Sequence, residues 1–432
     1  MLNRLDLRGV ADVARLLPRP EQVPEDVVAT VRQIVDAVAR TGDEALLSYT
    51  EQLDGVRLAQ LRVSSATIQA SLNKITPDLR VALEAAAQNV AEFHAHQVTA
   101  EHASELNGIT VRSWDQPVGR AGCYVPGGRA AYPSTVLMTA LPAKAAGVGQ
   151  VVLCVPPGPD GQVADVTLAA AAIAGVEEVY SLGGAQAIAA MAYGTESVMP
   201  VDVIVGPGNV YVATAKQLVA SKVGVPAAFA GPSEVVVVAD ASVPASYGAI
   251  DLMVQAEHGP DGLAWLVTFD DEVADAVETA VSELCTKAAR RDDIAATFER
   301  SGHIVLVDDA QAAAAVVNAI APEHLQVMTA DPQAVIADVC NAGAIFSGPM
   351  APASVGDYLA GPSHVLPTNG SARFGGALGV RDFVKTMHEI TVSAEGLKGC
   401  GNHLMAIAKA EGLDAHAQSV RLRTDHLAEG FK

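Results

Sequence analysis

Positive charge is scarce in this sequence. Lys and Arg together number 28 against 49 Asp and Glu, a net charge of −21. A surface of that sign repels a phosphate backbone, which excludes nucleic acid as the main partner. Long apolar runs are also missing. The longest with little polar interruption, residues 166–176 (VTLAAAAIAGV), spans 11 residues, against the ~20 that a membrane helix needs. The amino-terminal stretch carries Arg4, Asp6, Arg8, Asp12 and Arg15 where a secretory signal places its apolar segment, which argues against export. Cysteine is sparse too: Cys123, Cys154, Cys285, Cys340 and Cys400 form an odd, widely spaced set with no CxxC. That spacing excludes a cysteine-built metal site and suits reduced thiols in the cytoplasm.

Half of the 432 residues are apolar and 18% are charged, so the chain can bury a large core spread over several domains. Residues 25–97 read as helical, with apolar residues at three- and four-residue spacing and Gly42 as a stop. From about residue 110, short β-branched runs alternate with alanine-rich helical runs. The runs are QVVLCVP (150–156), EVYSL (178–182), VDVIV (201–205), EVVVVAD (234–240), AWLVTF (264–269) and HIVLVDD (303–309). This alternation predicts an α/β architecture with largely parallel sheet. The last 50 or so residues are more polar and lack a strong strand signal, which reads as an appendage outside any sheet.

Glycine and proline gather at strand ends, where α/β proteins build sites. In CYVPGGRAAYPST (123–135), Tyr124 precedes a rigid and then permissive turn, suited to close approach of a ligand or to an ordinary surface loop. SLGGAQAIA (181–189) carries Gln186 and VIVGPGNVYVATAK (203–216) carries Asn209, each at a strand-to-helix junction. Exposed N–H groups there favour phosphates. However, GPGNVY lacks the third glycine of a dinucleotide fingerprint, and no acid follows until Glu234. Bare structural turns are an equal reading. Gln255 and His258 lie three apart on a predicted helix that Gly259-Pro260 ends, so they share a face able to hold a metal or a polar ligand. A helix cap beside a solvated histidine is the alternative.

Glu323 and His324, in APEHLQV, are two groups able to move protons, although neighbours in an extended segment point to opposite faces. Asp357 reads as an oxygen ligand for a metal or as an N-cap. Glu411 and His416 lie five apart, unaligned on an ideal helix. His364 and the remaining histidines receive no role, and Asp202, Lys216 and Lys385 read as scaffold or surface charges.

In order along the chain, GCYVPGGRAAYPSTVLM, GGAQAIAAMAYGTE, VDVIVGPGNVYVATAK, AGPSEVVVVAD, DLMVQAEHGPD, APEHLQV, NAGAIFSG, GDYLAGPSHVLPT and EGLDAH closely resemble the histidinol dehydrogenase family. The resemblance implies an α/β fold with two incomplete Rossmann-like domains plus small N- and C-terminal domains, in an intertwined homodimer. Its segments are a 1–21 N-terminal arm, a discontinuous first Rossmann-like domain (22–123 and 234–378), a second, NAD-contacting one (124–233) and a 379–432 dimerisation tail. The implied reaction is the zinc-dependent, NAD-linked four-electron oxidation of L-histidinol to L-histidine through L-histidinal, in the cytoplasm.

Residue by residue, the resemblance implies zinc ligands at Gln255, His258, Asp357 and His416, the metal orienting the substrate rather than activating water. It implies His324 as general base and Glu323 as the group that activates water. NAD contacts fall on Tyr124, Gln186 and Asn209. Substrate contacts fall on Ser233 and Glu411, with His324 and the metal ligands also touching substrate. Glu411 and His416 would complete the site of the partner subunit. Cys123 and Cys154 receive no catalytic role. Ala227, Ala353 and Ser363 depart from residues common in the family, outside the zinc and proton-transfer sets. A zinc hydrolase, a non-enzymatic binding protein and a relative acting on another amino alcohol are the rival readings.

Overall fold

The computed structural model describes residues 2–18, 24–127, 130–226, 233–257 and 262–429. Within them the chain forms the strands β1 (Asn3–Asp6), β2 (Arg62–Val63), β3 (His102–Leu106), β4 (Ile109–Pro117), β5 (Arg120–Tyr124), β6 (Gln150–Val155) and β7 (Glu178–Ser181). They continue with β8 (Val203–Val205), β9 (Glu234–Ala239), β10 (Leu263–Thr268), β11 (Gly302–Leu306), β12 (His324–Met328), β13 (Ala344–Ser347) and β14 (Val384–Val392). Two compact units result: Met1–Gln97 with Val118–Phe383, and Val98–Pro117 with Val384–Lys432.

The larger unit holds two sheets. One has the order β1-β11-β10-β9-β12-β13, parallel throughout. Its central strand explains why: EVVVVA is buried at every position, as a parallel strand covered on both faces requires. Alternate residues feed opposite faces. Val235 and Val237 join a core with Leu252, Leu266 and Phe298, whereas Val236 and Val238 join one with Trp265, Val305 and Leu325. The second sheet has the order β2-β7-β6-β5-β8, parallel except for β2 against β7.

Helix Glu25–Thr41 buries Val31, Ile34, Val35 and Val38, the three- and four-residue spacing of one helix face. Gly42, at φ +57, ends it and starts helix Asp43–Asp54. Both helices bury their apolar faces in the same core as Tyr124, Val152, Leu182 and Ile188. This packing groups 25–54 with strands of 120–205, whereas the family resemblance groups 22–123 with 234–378. Residues 3–6, expected in an arm, form an edge strand of the six-stranded sheet.

The smaller unit corrects the expectation that the carboxy-terminal region lies outside any sheet. Strand β14 pairs with β4 over nine residues, and β4 pairs with β3. The apolar residues Val384, Met387, Ile390 and Val392 keep no period of two, so the usual strand signal is absent. The β3–β4 turn is Asn107-Gly108, at φ +54 and +74, the positive-φ pair that a tight two-residue hairpin favours. Helices Ala394–Ala410 and Asp414–Ala428 complete this unit.

One buried charge ties the start of the five-stranded sheet together. Arg120 opens β5 at 6% exposure. Its guanidinium reaches Glu178 on β7 at 2.9 and 2.5 Å and Gln150 on β6 at 3.0 Å, and its N–H donates to Asp202 beside β8 at 2.9 Å. Burial disfavours the Glu178 carboxylate, but hydrogen bonds from Arg120 and Tyr180 outweigh it and lower its pKa. A carboxyl lowered on folding stabilises the protein above its unfolded pKa, and that contribution disappears as pH falls through the folded value. Arg120→Met should therefore cost about 3 kcal/mol near neutral pH, by leaving Glu178 unpaired. In urea unfolding followed against pH, the deficit should shrink below the ordinary glutamate range. A pH-independent deficit would show that lost packing, not the ion pair, is responsible.

Candidate active site

In the five-stranded sheet the chain runs from β5 outward through β6 and β7, then returns to place β8 on the other side of β5. The crevice beyond the carboxyl ends of β5 and β8 is thus a topological switch point, where open α/β sheets bind ligands. Tyr124 is the last residue of β5, Gly206-Pro207-Gly208 follows β8 and Gly183-Gly184 follows β7. Gly206 has φ +104, and a Cβ there would collide with the Tyr124 carbonyl oxygen, so only glycine lets these turns meet.

The Tyr124 hydroxyl accepts the Gly184 N–H at 3.1 Å. Asn209 caps helix Val210–Val219, its Oδ1 accepting from the N–H groups of Tyr211 and Val212, both at 3.1 Å. Lys216, fully buried in the same helix, donates to the Gly206 carbonyl, and burial lowers its pKa to about 8. Tyr124, Gly127, Gln186 and Asn209 line one cleft of about 1090 Å³. Gln186 is 1% exposed, and its Oε1 has no hydrogen-bond partner among the described residues. Two helix starts and an acceptor awaiting a donor fit a phosphate-linked ligand that carries an amide or hydroxyls.

Glu323 and His324, expected to move protons, lie elsewhere, at the amino ends of β9 and β12. Before β12 the chain passes through Ala321 at φ +56 and Pro322, and Glu323 and His324 converge instead of pointing apart. His324 Nδ1 lies 3.6 Å from Glu323 Oε2. The neighbouring strand holds both: the Glu234 N–H donates to Glu323 Oε2 at 3.0 Å, and the Glu234 carbonyl lies 3.3 Å from His324 Nδ1. A carbonyl only accepts, so Nδ1 carries a proton and Nε2 is the atom open to proton exchange. Nε2 lies 3.4 Å from Asp357 Oδ1, long for a hydrogen bond. Burial disfavours the charged ring, but the carboxylates of Glu323 and Asp357 outweigh it and raise the pKa to about 10. Burial and the adjacent Glu323 carboxylate push Glu234 up to about 8, while its Oε1 accepts the Asn369 N–H at 2.7 Å.

Asp357 sits inside the short helix Ala353–Tyr358 and is not its N-cap. Its carbonyl lies 2.9 Å from His364 Nδ1, and the other His364 nitrogen lies 3.1 Å from the Thr135 hydroxyl. Burial lowers the pKa of this histidine, which favours the neutral ring with Nδ1–H donating. Gln255 is buried in the last turn of helix Ala245–Ala256. Ser233, half-buried, immediately precedes β9. His258 lies outside the described residues, as does Ala227. Glu411 and His416 are exposed residues of the smaller unit. Among the described residues no group of three or more His, Cys, Asp or Glu side chains is placed to hold a metal. The four expected ligands still offer carboxamide oxygen, carboxylate oxygen and two imidazoles, a donor set suited to zinc.

Two departures from the family pattern have clear settings: Ala353 is buried at the start of its helix, and the Ser363 hydroxyl donates to the Met138 carbonyl at 2.8 Å. Cys123 and Cys154 are fully buried, and burial pushes Cys123 up to about 12 and raises Cys154 further, so neither is a ready nucleophile. Glu234, Lys216 and His364 received no role from the sequence. One signal was present: Lys216 is the only charge in VYVATAKQLV, a helix otherwise too apolar to keep a lysine in solvent.

The histidinol dehydrogenase family model matches residues 17–424. The chain is 44% identical to histidinol dehydrogenase of Rhizobium meliloti (strain 1021) over 432 residues, covering 99% of each chain. It is 46% identical to that of Synechococcus sp. (strain ATCC 27144 / PCC 6301 / SAUG 1402/1) over 402 residues, covering 92% of each. The crystal structure of histidinol dehydrogenase from Elizabethkingia anophelis superposes with a TM-score of 0.94 at 33% identity, covering 99% of both chains. With a family model spanning nearly its whole length and relatives of this identity aligned end to end, the chain belongs to the histidinol dehydrogenase family of oxidoreductases.

Proposed function

We propose that this chain oxidises L-histidinol to L-histidine through L-histidinal, the closing steps of histidine biosynthesis, with NAD and one zinc ion per site. The observation that carries the reading is the Glu323–His324 pair, buried and held by the backbone N–H and carbonyl of one residue of β9. When bound, NAD supplies the hydride acceptor, and zinc supplies a fixed anchor for the substrate imidazole and amino group. Gln255, His258, Asp357 and His416 would hold the metal. Tyr124, Gln186 and Asn209 would contact the dinucleotide, and Ser233 and Glu411 the substrate.

With Asp357 engaged as a metal ligand, His324 would lose one of the two carboxylates that raise its pKa. Its neutral ring takes the hydroxyl proton of the alcohol at Nε2 as hydride leaves the same carbon, giving the aldehyde. Glu323 then removes a proton from the water that adds to that aldehyde. After passing its first proton to water, His324 takes the hydroxyl proton of the hydrate during the second hydride departure, giving the carboxylate. Water is consumed once, and no covalent enzyme intermediate is needed.

The assembly proposed is a homodimer in which Glu411 and His416 of one subunit complete the site of the other. Supporting this, the smaller unit buries few side chains and exposes Ile390, Leu404, Ile407 and Leu422, apolar surface that a partner would cover. The proposed location is the cytoplasm. Among the described residues no helix is long and apolar enough to cross a membrane.

Zinc-loaded protein given L-histidinol and NAD should form about two NADH per histidine, lose this on chelation and recover it with added zinc. Absence of NADH from folded, metal-loaded protein would overturn the reading. His324→Gln should lower kcat roughly 100- to 10,000-fold, with a much smaller change in the KM for histidinol. Mixed after subunit exchange, inactive His416→Ala and His324→Ala proteins should regain activity at one of the two sites of each mixed dimer. No recovery, with exchange verified, would exclude shared sites.

A further inference from the structure

The cleft beyond β5 and β8 contains a carboxylate that the preceding account leaves unused. Asp54 is the last residue of helix Asp43–Asp54, before Gly55 at φ +70. A negative charge in the last turn opposes the helix dipole, so helix stability gives no reason for an acid there. Its Oδ2 is buried and has no hydrogen-bond partner among the described residues, yet Asp54 lines the same cleft as Tyr124, Gln186 and Asn209. Burial raises the pKa of this carboxyl, the mark of an acceptor short of donors. The neighbouring charges of the wall are engaged: Lys74 pairs with Asp165 at 2.8 Å, and Asp160 accepts the Gln162 N–H at 3.0 Å.

We propose that Asp54 receives the hydroxyl groups of the adenosine ribose of the dinucleotide, and that this contact sets a preference for NAD over NADP. The inference rests on the NAD-linked reading above. A vicinal diol offers two donors to one carboxylate, which is how dinucleotide folds commonly hold this sugar. In those folds the acid follows the glycine turn by about 20 residues. Here none follows until Glu234, and the carboxylate comes instead from a helix that precedes the sheet in the chain. Helix Asp43–Asp54 packs on helices Glu25–Thr41 and Gly184–Tyr193 and contributes to the core around Tyr124 and Ile188. His324, by contrast, stands on the six-stranded sheet. The nicotinamide must meet His324, so we assign a contact on helix Asp43–Asp54, which packs in the core of the five-stranded sheet, to the adenosine half. A 2′-phosphate on that ribose would remove a donor and set its negative charge against Asp54. Among the described residues lining the cleft, none is an arginine that could neutralise it.

The test uses the zinc-loaded dimer with L-histidinol and three cofactors: NAD, NADP and NAD built on 2′-deoxyadenosine. For the wild-type protein, removing the 2′-hydroxyl should raise the cofactor KM roughly 10-fold or more, and NADP should be used far less well than NAD. Asp54→Asn should raise the KM for NAD roughly 10-fold and narrow the preference for NAD over NADP by a similar factor, while the KM for histidinol stays in place. In the variant the deoxy cofactor should lose its penalty relative to NAD, the signature of a direct contact. If wild-type protein reduces NAD but treats the deoxy cofactor alike, or if Asp54→Asn keeps the wild-type KM for NAD, Asp54 does not bind the ribose and the NAD-linked reading stands. If wild-type protein reduces none of the three, both fall together. Should Asp54→Asn fail to fold, Asp54→Ser, which also lacks the carboxylate, takes its place in the same comparison, and a deoxy penalty unchanged in that variant would overturn the contact.

Discussion

A single residue, Glu234 at the head of β9, ties the buried acid and histidine of the larger unit together through its two backbone groups. Its N–H donates to the Glu323 carboxylate, and its carbonyl faces the Nδ1 edge of His324. Strand starts leave backbone groups without ladder partners, and buried ones must find others. Here the partners are the Glu323 carboxylate and the His324 ring. Glu323 and His324 are 7% and 4% exposed, a burial that costs several kcal/mol for polar groups left without hydrogen bonds. The parallel register of β9 against β12 supplies those bonds, so the sheet that forms the core also places a proton on Nδ1 of His324.

The two kinds of site occupy opposite strand ends of their respective sheets. In the five-stranded sheet the cleft lies beyond the carboxyl ends, where helices begin and their N–H groups point outward. In the six-stranded sheet the Glu323–His324 pair lies at the amino ends of β9 and β12, where strands begin and side chains can be hydrogen-bonded by neighbouring backbone. The cleft is thus built from helix termini and glycine turns, and the buried pair from strand termini. Glycine matters most at Gly206, where β8 runs up against the Tyr124 carbonyl.

The parallel strands were legible because burial on both faces demands unbroken apolar runs such as EVVVV, and the helices of 25–95 because their apolar residues repeat at helical spacing. The stop at Gly42 was legible from its backbone freedom. Strand β14 was not, since its apolar residues follow no strand period and its order comes from pairing with β4. The convergence of Glu323 and His324 was hidden because the positive φ of Ala321 is a tertiary effect that alanine does not advertise. Glu234 and His364 act through backbone contacts to residues about 90 and seven positions away, and side-chain type alone does not announce such a role. Motif order carried the family, whereas residue spacing alone left every cluster open to a structural reading.

The six-stranded sheet closes at one edge by pairing β1 with β11, Asn3 against His303, some 300 residues apart in the chain. A chain emerging at about 5 to 20 residues per second leaves β1 without its partner strand for roughly 15 to 60 s. Across that interval the five-stranded half, whose strands lie closer together in sequence, can gather its core. The order of synthesis thus separates the two halves in time: the cleft beyond β5 and β8 can form while β9 to β13 of the other sheet are still to be made.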